Sequence, residues 1–322
     1  MVRHRPAGRR RRRGARRPRA ARAAYGGGTG RAAHRRPVQR FAGRIRRPDP
    51  LRRNPRHGAW DRRRTVSTPE RKKPRIALVT GAAGGIGAAI ARRLSKEGVK
   101  VVLADLRADR LAPLVAENTG PFAALEVDLT DRASLPDFVD RAWEVFGGLD
   151  ILVNAAGLYP SAPLLEMRDD QWDQVMDVNL SAVFSLSRAF ARRVVDAGTG
   201  GHIVNISSGA SARARRGAAH YCTSKAGLDM LTKAFALELA EHRIHVNAVS
   251  PGFIEVDSEV NPLGADYVRS IRGGQPWPRA GVPEDIAAAV AYLCGPDAEW
   301  ITGASLSVDG GAGTGNAALP LS

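Results

Sequence analysis

The sequence predicts an α/β fold in which helices cover both faces of a parallel, doubly wound sheet. From about residue 75 onward, short β-branched runs alternate with longer segments of helical periodicity. This alternation is typical of βαβ units, whose strands pair in parallel and are buried on both faces. Residues 74–322 are also numerous enough to bury one sizeable core. We therefore expect a single folded domain.

The predicted elements follow one another in regular order along this part of the chain. Strands are expected where four or five residues are rich in Val, Ile and Leu, at 76–80, 101–104, 123–127, 151–154, 202–206, 245–249 and 305–308. Helices are expected where apolar residues recur every three or four positions, at 86–97, 131–146, 171–197, 218–241 and 283–293.

The first 73 residues differ sharply from the rest in charge. They hold 27 of the 49 Lys and Arg but three acidic residues, a net charge of +24, whereas the remainder carries −7. Their Arg, Gly, Pro and Ala offer little apolar surface to offset ordering entropy, so residues 1–73 are expected to be a disordered extension. We expect it to have no part in the activity, with translation starting naturally at Val66. The alternative is a basic arm that binds an anionic surface or nucleic acid.

Several classes of protein fit the composition poorly. A nucleic-acid-binding module is disfavoured because aromatic residues are scarce in the basic head. The head is Arg-rich like a transit peptide, but it has a single Ser before Pro69. Cys222 and Cys294 lie far apart without a CxxC motif, which argues against a disulfide framework and a metal site. No apolar run approaches the length of a membrane span, and a cytoplasmic location is expected.

A glycine motif directly follows the first predicted strand. In TGAAGGIG, residues 80–87, glycines 81, 85 and 87 permit a tight turn that opens a helix. The unpaired N–H groups of such a helix end stabilise phosphate groups. Strand before and helix after favour a dinucleotide site over a merely flexible turn.

An acidic residue closes the second predicted strand. Asp105 lies eighteen residues past Gly87, where a carboxylate can accept both hydroxyls of an adenosine ribose and would repel a 2′-phosphate. NAD is therefore favoured over NADP. Arg107 and Arg110 lie nearby and offer a 2′-phosphate an alternative partner.

A Tyr and a Lys share one helical face in YCTSK, residues 221–225. Tyr221 and Lys225 are four residues apart, so their side chains lie one turn from each other. A nearby cation favours phenolate, which would make Tyr221 a usable general acid/base. Ser208 precedes Tyr221 by thirteen residues, and the intervening segment is long enough to bring its hydroxyl beside the phenol.

The glycine motif, the spacing of Ser208 and Tyr221, and the YxxSK helix together resemble the short-chain dehydrogenase/reductase family. Further segments match the family in order: NAAG at 154–157, VNL at 178–180, PGFI at 251–254 and ITGASLSVDGG at 301–311. The resemblance covers about residues 75–311. It is about equally close to 3-oxoacyl-acyl-carrier-protein reductases, sugar dehydrogenases and hydroxysteroid dehydrogenases.

This resemblance implies a Rossmann-type, seven-stranded domain that forms homotetramers and interconverts a ketone and a secondary alcohol with NAD(P). It implies that Tyr221 exchanges the proton, Ser208 binds the substrate oxygen, Lys225 holds the nicotinamide ribose and lowers the Tyr221 pKa, and Asn179 positions a relay water. The implied cofactor contacts are Gly81, Gly85, Ile86, Gly87, Asp105, Asp128, Leu129, Asn154, Ala155, Gly157, Tyr221, Lys225, Pro251, Gly252 and Ile254.

Other positions bear on cofactor and substrate. Gly84 and Leu106 stand where NADP-dependent members often carry a basic residue, which again favours NAD. Val256 replaces a Thr that often contacts the nicotinamide carboxamide, so we expect a weaker hold there. The loop 158–166 and a lid at 253–280 are expected to select a small-molecule substrate that the sequence does not name. A non-catalytic NAD-binding regulator is a remaining alternative.

Overall fold

Seven strands form one parallel sheet in the computed structural model, which describes residues 73–117, 120–256 and 275–315. All of these residues belong to the second of the two units into which the chain divides, Val66–Ser322. Residues 1–72 of the predicted extension and the greater part of the predicted lid lie outside the described residues, and the domain boundary at 73/74 stays a prediction.

The strands lie close to their predicted positions. They are β1 (Ile76–Thr80), β2 (Lys100–Asp105), β3 (Phe122–Glu126), β4 (Ile151–Asn154), β5 (Gly201–Ile206), β6 (Ile244–Pro251) and β7 (Ser305–Val308). Their order across the sheet is β3-β2-β1-β4-β5-β6-β7, and every neighbouring pair is parallel. The predicted doubly wound α/β fold is confirmed.

The described part of the chain contains seven α-helices. They are α1 (Gly85–Lys96), α2 (Ala112–Ala116), α3 (Leu135–Phe146), α4 (Asp169–Met176), α5 (Ala182–Ala197), α6 (Ala219–Leu239) and α7 (Pro283–Leu293). None of these helices is both long and apolar enough to cross a membrane.

Two features of the helices differ from the prediction. The segment predicted as one helix at 171–197 is divided into α4 and α5 by a π-helical turn, Asp177–Ser181. Such turns widen a helix locally and are often found at functional sites. The short α2 and the 3₁₀ turn before it, Ala108–Leu111, were not predicted, because elements of four or five residues show too few periods to produce a pattern.

The core consists of two apolar clusters, one on each face of the sheet. In β1, Ala77 and Val79 belong to one cluster, and Leu78 belongs to the other. This division follows from the alternation of side chains along a strand. Because helices cover both faces, all five residues of β1 are buried. This burial explains why the strands appear in the sequence as continuous apolar runs.

The winding of the sheet reverses between β1 and β4. The chain proceeds outward through β2 and β3, then returns so that β4 pairs with the other edge of β1. Thr80 and Asn154, the last residues of the two strands, are register partners. Ligands of doubly wound sheets bind at such a reversal, beyond the carboxyl ends of the strands.

Candidate active site

The glycine turn connects β1 to α1 at this reversal point. Gly81 has φ of 66°, and a Cβ atom there would lie 2.7 Å from the backbone of Ala156. A Cβ atom at Gly87 would lie 2.2 Å from the carbonyl oxygen of Gly81. The first position needs glycine for its backbone conformation and the second for close approach of the turn to the helix.

The amino end of α1 presents unpaired backbone donors. The first N–H of the helix with an intrahelical partner is that of Ala88, which donates to the Gly84 carbonyl at 2.8 Å. Within the described residues, the N–H groups of Gly85, Ile86 and Gly87 have no such acceptor. Together with the close approach that the glycines permit, this end of α1 fits a pyrophosphate group.

Asp105 lies beside the same turn. It is the last residue of β2, and its carboxylate accepts a hydrogen bond of 3.0 Å from the N–H of Ala83. This bond holds the carboxylate next to the glycine turn. Arg107, the alternative partner for a phosphate, forms an exposed ion pair of 2.8 Å with Asp109.

Asp128 and Leu129 follow the neighbouring strand, β3. The N–H of Val127 donates to the carbonyl of Asp105 at 2.9 Å, so the two strand ends lie side by side. The Asp128 carboxylate accepts from the N–H and the hydroxyl of Thr130 at 2.8 and 2.7 Å. Leu129 is half-buried and packs on the core. This arrangement completes an edge on which an adenine ring could lie.

Asn154 ends β4 in a buried polar network. Its amide nitrogen donates to Ser187 at 3.2 Å and to the side-chain oxygen of Asn205 at 2.8 Å. Asn205 in turn donates to the hydroxyl of Thr232 at 2.9 Å. This network ties β4 and β5 to α5 and α6 beneath the site, so Asn154 supports the site from below.

The segment after β4 continues along the cleft. The hydroxyl of Thr80 accepts from the N–H of Ala155 at 3.2 Å and from that of Ala156 at 3.4 Å, which links it to the end of β1. A Cβ atom at Gly157 would lie 3.4 Å from the side-chain oxygen of Asn179 and 3.6 Å from Nζ of Lys225. Gly157 therefore places the backbone against two of the predicted catalytic residues.

Asn179 is fully buried on the π-helical turn. Its amide oxygen accepts from the Leu158 N–H, and its amide nitrogen donates to the Leu158 carbonyl, both at 2.8 Å. The same nitrogen donates to Ser224 at 3.2 Å, and the Ser224 hydroxyl donates to the carbonyl of Tyr221 at 2.8 Å. Asn179 thus connects the loop after β4 to the first turns of α6.

Tyr221, Ser208 and Lys225 converge where β5 meets α6. The side chains of Ser208 and Tyr221 are hydrogen-bonded, and Ser208 also accepts from the N–H of Ala210 at 3.1 Å. Lys225 is buried, and its Nζ lies 5.8 Å from the ring centroid of Tyr221 while donating to the carbonyl of Ile206 at 2.8 Å. The fold brings together the four side chains that the sequence singles out for catalysis.

The electrostatics at Tyr221 differ from the expectation. Burial raises the pKa of Tyr221 above its usual value, and the hydrogen bond from Ser208 and the charge of Arg215 lower it in part. Burial also lowers the pKa of Lys225 to about 8, with an opposing contribution from Asp229. The neighbouring positive charge that lowers the pKa of the phenol in the protein without cofactor is that of Arg215.

The segment after β6 closes the far side of the cleft. Pro251 ends the strand, and a Cβ atom at Gly252 would lie 2.7 Å from Cα of Asp309, so only glycine fits there. Ile254 forms an isolated bridge with Gly281. Val256 lies against the glycine turn: its Cγ1 would stand 2.9 Å from a Cβ atom at Gly85. A valine here contributes apolar contact and no hydroxyl.

The sequence family is decided by two comparisons. Residues 81–313 match the family described as Enoyl-(Acyl carrier protein) reductase. The crystal structure of a short-chain type dehydrogenase/reductase from Mycobacterium marinum is 34% identical, with a TM-score of 0.70 over 74% of this chain and 95% of that chain. The chain belongs to the short-chain dehydrogenase/reductase family. It is therefore an oxidoreductase that acts on CH–OH or keto groups with NAD or NADP.

Two further relatives of this dehydrogenase/reductase indicate the range of its family. The 3-oxoacyl-[acyl-carrier-protein] reductase FabG of Salmonella typhimurium is 39% identical over 74% of this chain and 96% of the relative. A structure from Agrobacterium tumefaciens with bound NADP, provisionally assigned as a 2-deoxy-D-gluconate 3-dehydrogenase, is also 39% identical. It has a TM-score of 0.69 over 75% of this chain and 97% of that chain.

Sequence reasoning missed several residues of this dehydrogenase/reductase site. Tyr159 packs edge-on against Tyr221 with ring centroids 6.4 Å apart, and Arg215 lies over the same ring. Ser224 and Thr80 hold neighbouring segments through their hydroxyls. Thr80 lies in the glycine motif and Ser224 in the YCTSK motif, so their places in the sequence could have indicated a role in the site. Tyr159 and Arg215 lie on loops, where spacing predicts no contact. No group of three His, Cys, Asp or Glu side chains in the described part of the chain is arranged to hold a metal ion.

Proposed function

We propose that this enzyme interconverts a ketone and a secondary alcohol, with Tyr221 as general acid/base and NAD as the favoured cofactor. The observation that carries the proposal is the convergence of the half-buried Tyr221 and Ser208 with the buried Lys225, beside a turn that fits a dinucleotide. When bound, the nicotinamide supplies or accepts the hydride. The residues of the chain bind and orient the substrate and move the proton.

In the direction of reduction, the Tyr221 phenol donates its proton to the carbonyl oxygen of the substrate. The raised pKa of Tyr221 keeps the phenol protonated at neutral pH, as a proton donor requires. Ser208 already forms a hydrogen bond with the phenol and would donate to the same substrate oxygen. Two donors at one oxygen stabilise the negative charge that develops there.

Lys225 and Asn179 support this proton transfer. Nζ of Lys225 lies next to Gly157 and the Tyr221 ring, where its charge can hold ribose hydroxyls and favour the phenolate that forms after transfer. Asn179 is fixed by both polar atoms of Leu158, and we assign to it the water that restores the proton to Tyr221. Oxidation of an alcohol would use the same groups in reverse.

The preference for NAD rests on Asp105. Its carboxylate is held against the glycine turn by the N–H of Ala83, where a 2′-phosphate would meet a like charge. The Agrobacterium structure contains NADP, so the preference needs a direct measurement.

The homotetramer expected from the family has support on one surface. A groove of about 490 Å³ runs between α5 and α6, lined by Phe184, Ala191, Val195, Leu231 and Phe235 among others. An exposed apolar groove often marks a contact surface, and we propose that a second copy of the chain covers it. Light scattering tests this, since Leu231→Glu should reduce the mass in solution. The cytoplasmic location stays a prediction.

Tyr221→Phe tests the catalytic assignment. Loss of the phenolic proton should lower turnover by at least about 10² to 10⁴ on a panel of ketones and alcohols. Because Lys225 and the glycine turn remain, NADH should bind with nearly its original affinity. Tyr292→Phe, an exposed tyrosine on α7, is the matched control and should retain full activity.

Two outcomes would contradict the proposal. Turnover of Tyr221→Phe within about threefold of the native enzyme would remove Tyr221 from the mechanism. Tight cofactor binding by the native protein, with no turnover of any ketone or alcohol, would favour the non-catalytic regulator instead.

A further inference from the structure

A positive charge stands at the rim of the catalytic site. The guanidinium carbon of Arg215 lies 5.9 Å from the ring centroid of Tyr221. Tyr159 contacts the same ring edge-on from the loop after β4. Arg215 is exposed, Tyr159 and Tyr221 are half-buried, and Lys225 is buried. A molecule that reaches the Tyr221 phenol therefore passes close to this guanidinium.

The loop that carries Arg215 is fixed in place. The N–H of Ala218 donates to the carbonyl of Arg215 at 3.2 Å, which closes a turn. The N–H of Ala162 donates to the carbonyl of Gly217 at 2.9 Å, and a Cβ atom at Gly217 would lie 2.6 Å from the Ser161 hydroxyl. These contacts seat the loop on residues 158–166, the segment expected to select the substrate. The backbone position of Arg215 is thus set before a ligand binds.

The Arg215 charge has no counter-ion within the described residues. Several exposed arginines in this part of the chain are paired with carboxylates, as in Arg168 with Asp170 and Arg279 with Asp285, and Arg215 is not one of them. The neighbouring Arg213 donates to the carbonyl of Ala312 at 2.7 Å. Arg215 forms no such ion pair or hydrogen bond in this part of the chain, so the five N–H donors of its guanidinium are available.

We infer that Arg215 is a specificity-determining residue that binds an anionic group, carboxylate or phosphate, on the ketone or alcohol substrate. The inference rests on the proposed reaction at Tyr221. A guanidinium matches either anion through two parallel N–H···O bonds. The Arg215 guanidinium lies over the ring of Tyr221. We therefore expect the anionic group of the substrate to be a few bonds from the carbon that reacts. A neutral sugar makes no use of this charge.

Matched pairs of ketones test the inference. One pair is 3-oxobutanoate and its neutral ethyl ester, which differ in a carboxylate. The second is dihydroxyacetone phosphate and dihydroxyacetone, which differ in a phosphate. Acetoacetyl-coenzyme A, whose phosphates lie far from the ketone, is a separate arm. For each ketone, kcat/KM is measured with the full-length native enzyme, with Arg215→Gln and with Arg215→Lys.

The control variant is Arg141→Gln. Arg141 is an exposed arginine on α3 that also lies over an aromatic ring, 5.7 Å from the centroid of Phe138. The Arg141→Gln substitution removes the same charge from the same kind of cation–π contact. The substituted residue lies on α3, whose residues form no part of the site. We expect this variant to leave all kcat/KM ratios within about twofold of the native values.

The native enzyme should prefer the anionic member of at least one pair. Arg215→Gln should lower that preference about tenfold, which corresponds to ~1.4 kcal/mol, and Arg215→Lys should retain part of it. A preference for the carboxylate or the phosphate identifies the anion. A preference unchanged in Arg215→Gln, equal rates within both pairs, or a gain confined to acetoacetyl-coenzyme A would overturn the inference.

Calorimetric binding of the same ketones to the protein saturated with oxidised cofactor separates the two proposals. If neutral ketones are reduced but neither anionic ketone binds more tightly than its neutral partner, the inference about Arg215 is wrong and the proposed reaction is supported. If an anion binds in an Arg215-dependent way without turnover in any assay, the anion site stands and the proposed reaction falls.

Discussion

The ammonium group of Lys225 donates a hydrogen bond of 2.8 Å to the carbonyl oxygen of Ile206. Ile206 ends β5, and Ser208 follows two residues later, so this bond ties the catalytic face of α6 to the strand that carries the catalytic serine. The Lys225 side chain is buried, and a neutral carbonyl compensates its charge weakly. Burial accordingly lowers its pKa to about 8.

This shift predicts a pH dependence of stability. Between pH 8 and about 10.5, the unfolded chain holds a proton on Lys225 that the folded enzyme has lost, so stability rises with pH across this window. The free energy of unfolding of the native apoenzyme, minus that of Lys225→Met, should rise by roughly 1 to 3 kcal/mol from pH 8 to pH 10.5. Urea unfolding at several pH values measures the difference. A difference that stays flat, or falls, would show that the pKa of Lys225 is not lowered in the folded enzyme.

Asp105 is predicted to set the choice of cofactor. The native enzyme should have a kcat/KM for NAD about tenfold above that for NADP, or ~1.4 kcal/mol. Asp105→Asn keeps an acceptor for the Ala83 N–H but removes the negative charge, so this preference should largely disappear. Asp131→Asn, an exposed acid after β3, serves as the control and should leave the ratio unchanged. A native preference for NADP would instead assign the site to Arg107 or Arg110.

The glycine turn predicts opposite outcomes for two similar substitutions. A methyl group at Gly87 would collide with the Gly81 carbonyl at 2.2 Å, whereas one at Gly84 would lie 3.4 Å from the same oxygen, an ordinary contact. Gly87→Ala should destabilise the apoenzyme by about 1 to 3 kcal/mol and weaken binding of both cofactors. Gly84→Ala should leave apoenzyme stability nearly unchanged. Thermal unfolding without cofactor compares the two variants, and equal melting temperatures would refute this account of the turn.

Removal of the basic head is predicted to have little effect on catalysis. Every residue of the candidate site lies after residue 73, so a chain starting at Val66 should keep kcat/KM and melting temperature close to those of the full chain. The mass of the natively expressed protein checks whether residues 1–65 are present. A native mass that includes them, together with lost activity on truncation, would establish a role for the head. Binding that weakens steeply with salt would identify an anionic surface as its partner.

The sequence alone determined the sheet, the family and the residues of the candidate catalytic group. Strands such as those at 76–80 and 151–154 could be predicted because a parallel sheet that is buried on both faces requires continuous apolar residues. The glycine motif could be recognised because only glycine fits at two of its positions. Gly81 has a positive φ, and at Gly87 the helix approaches the Gly81 carbonyl closely. The proximity of Tyr221 and Lys225 could be predicted because residues four apart on a helix share a face.

Only the tertiary structure decided which charges act at the phenol and how the site is supported. Burial lowers the pKa of Lys225. That burial results from the packing of β5 and neighbouring elements around the ammonium group, which the sequence does not show. The approach of Tyr159 and Arg215 to Tyr221 depends on two loops that meet through Gly217 and Ala162. Local periodicity carries no information on such contacts, because loop residues distant in the chain meet only after the elements between them have packed.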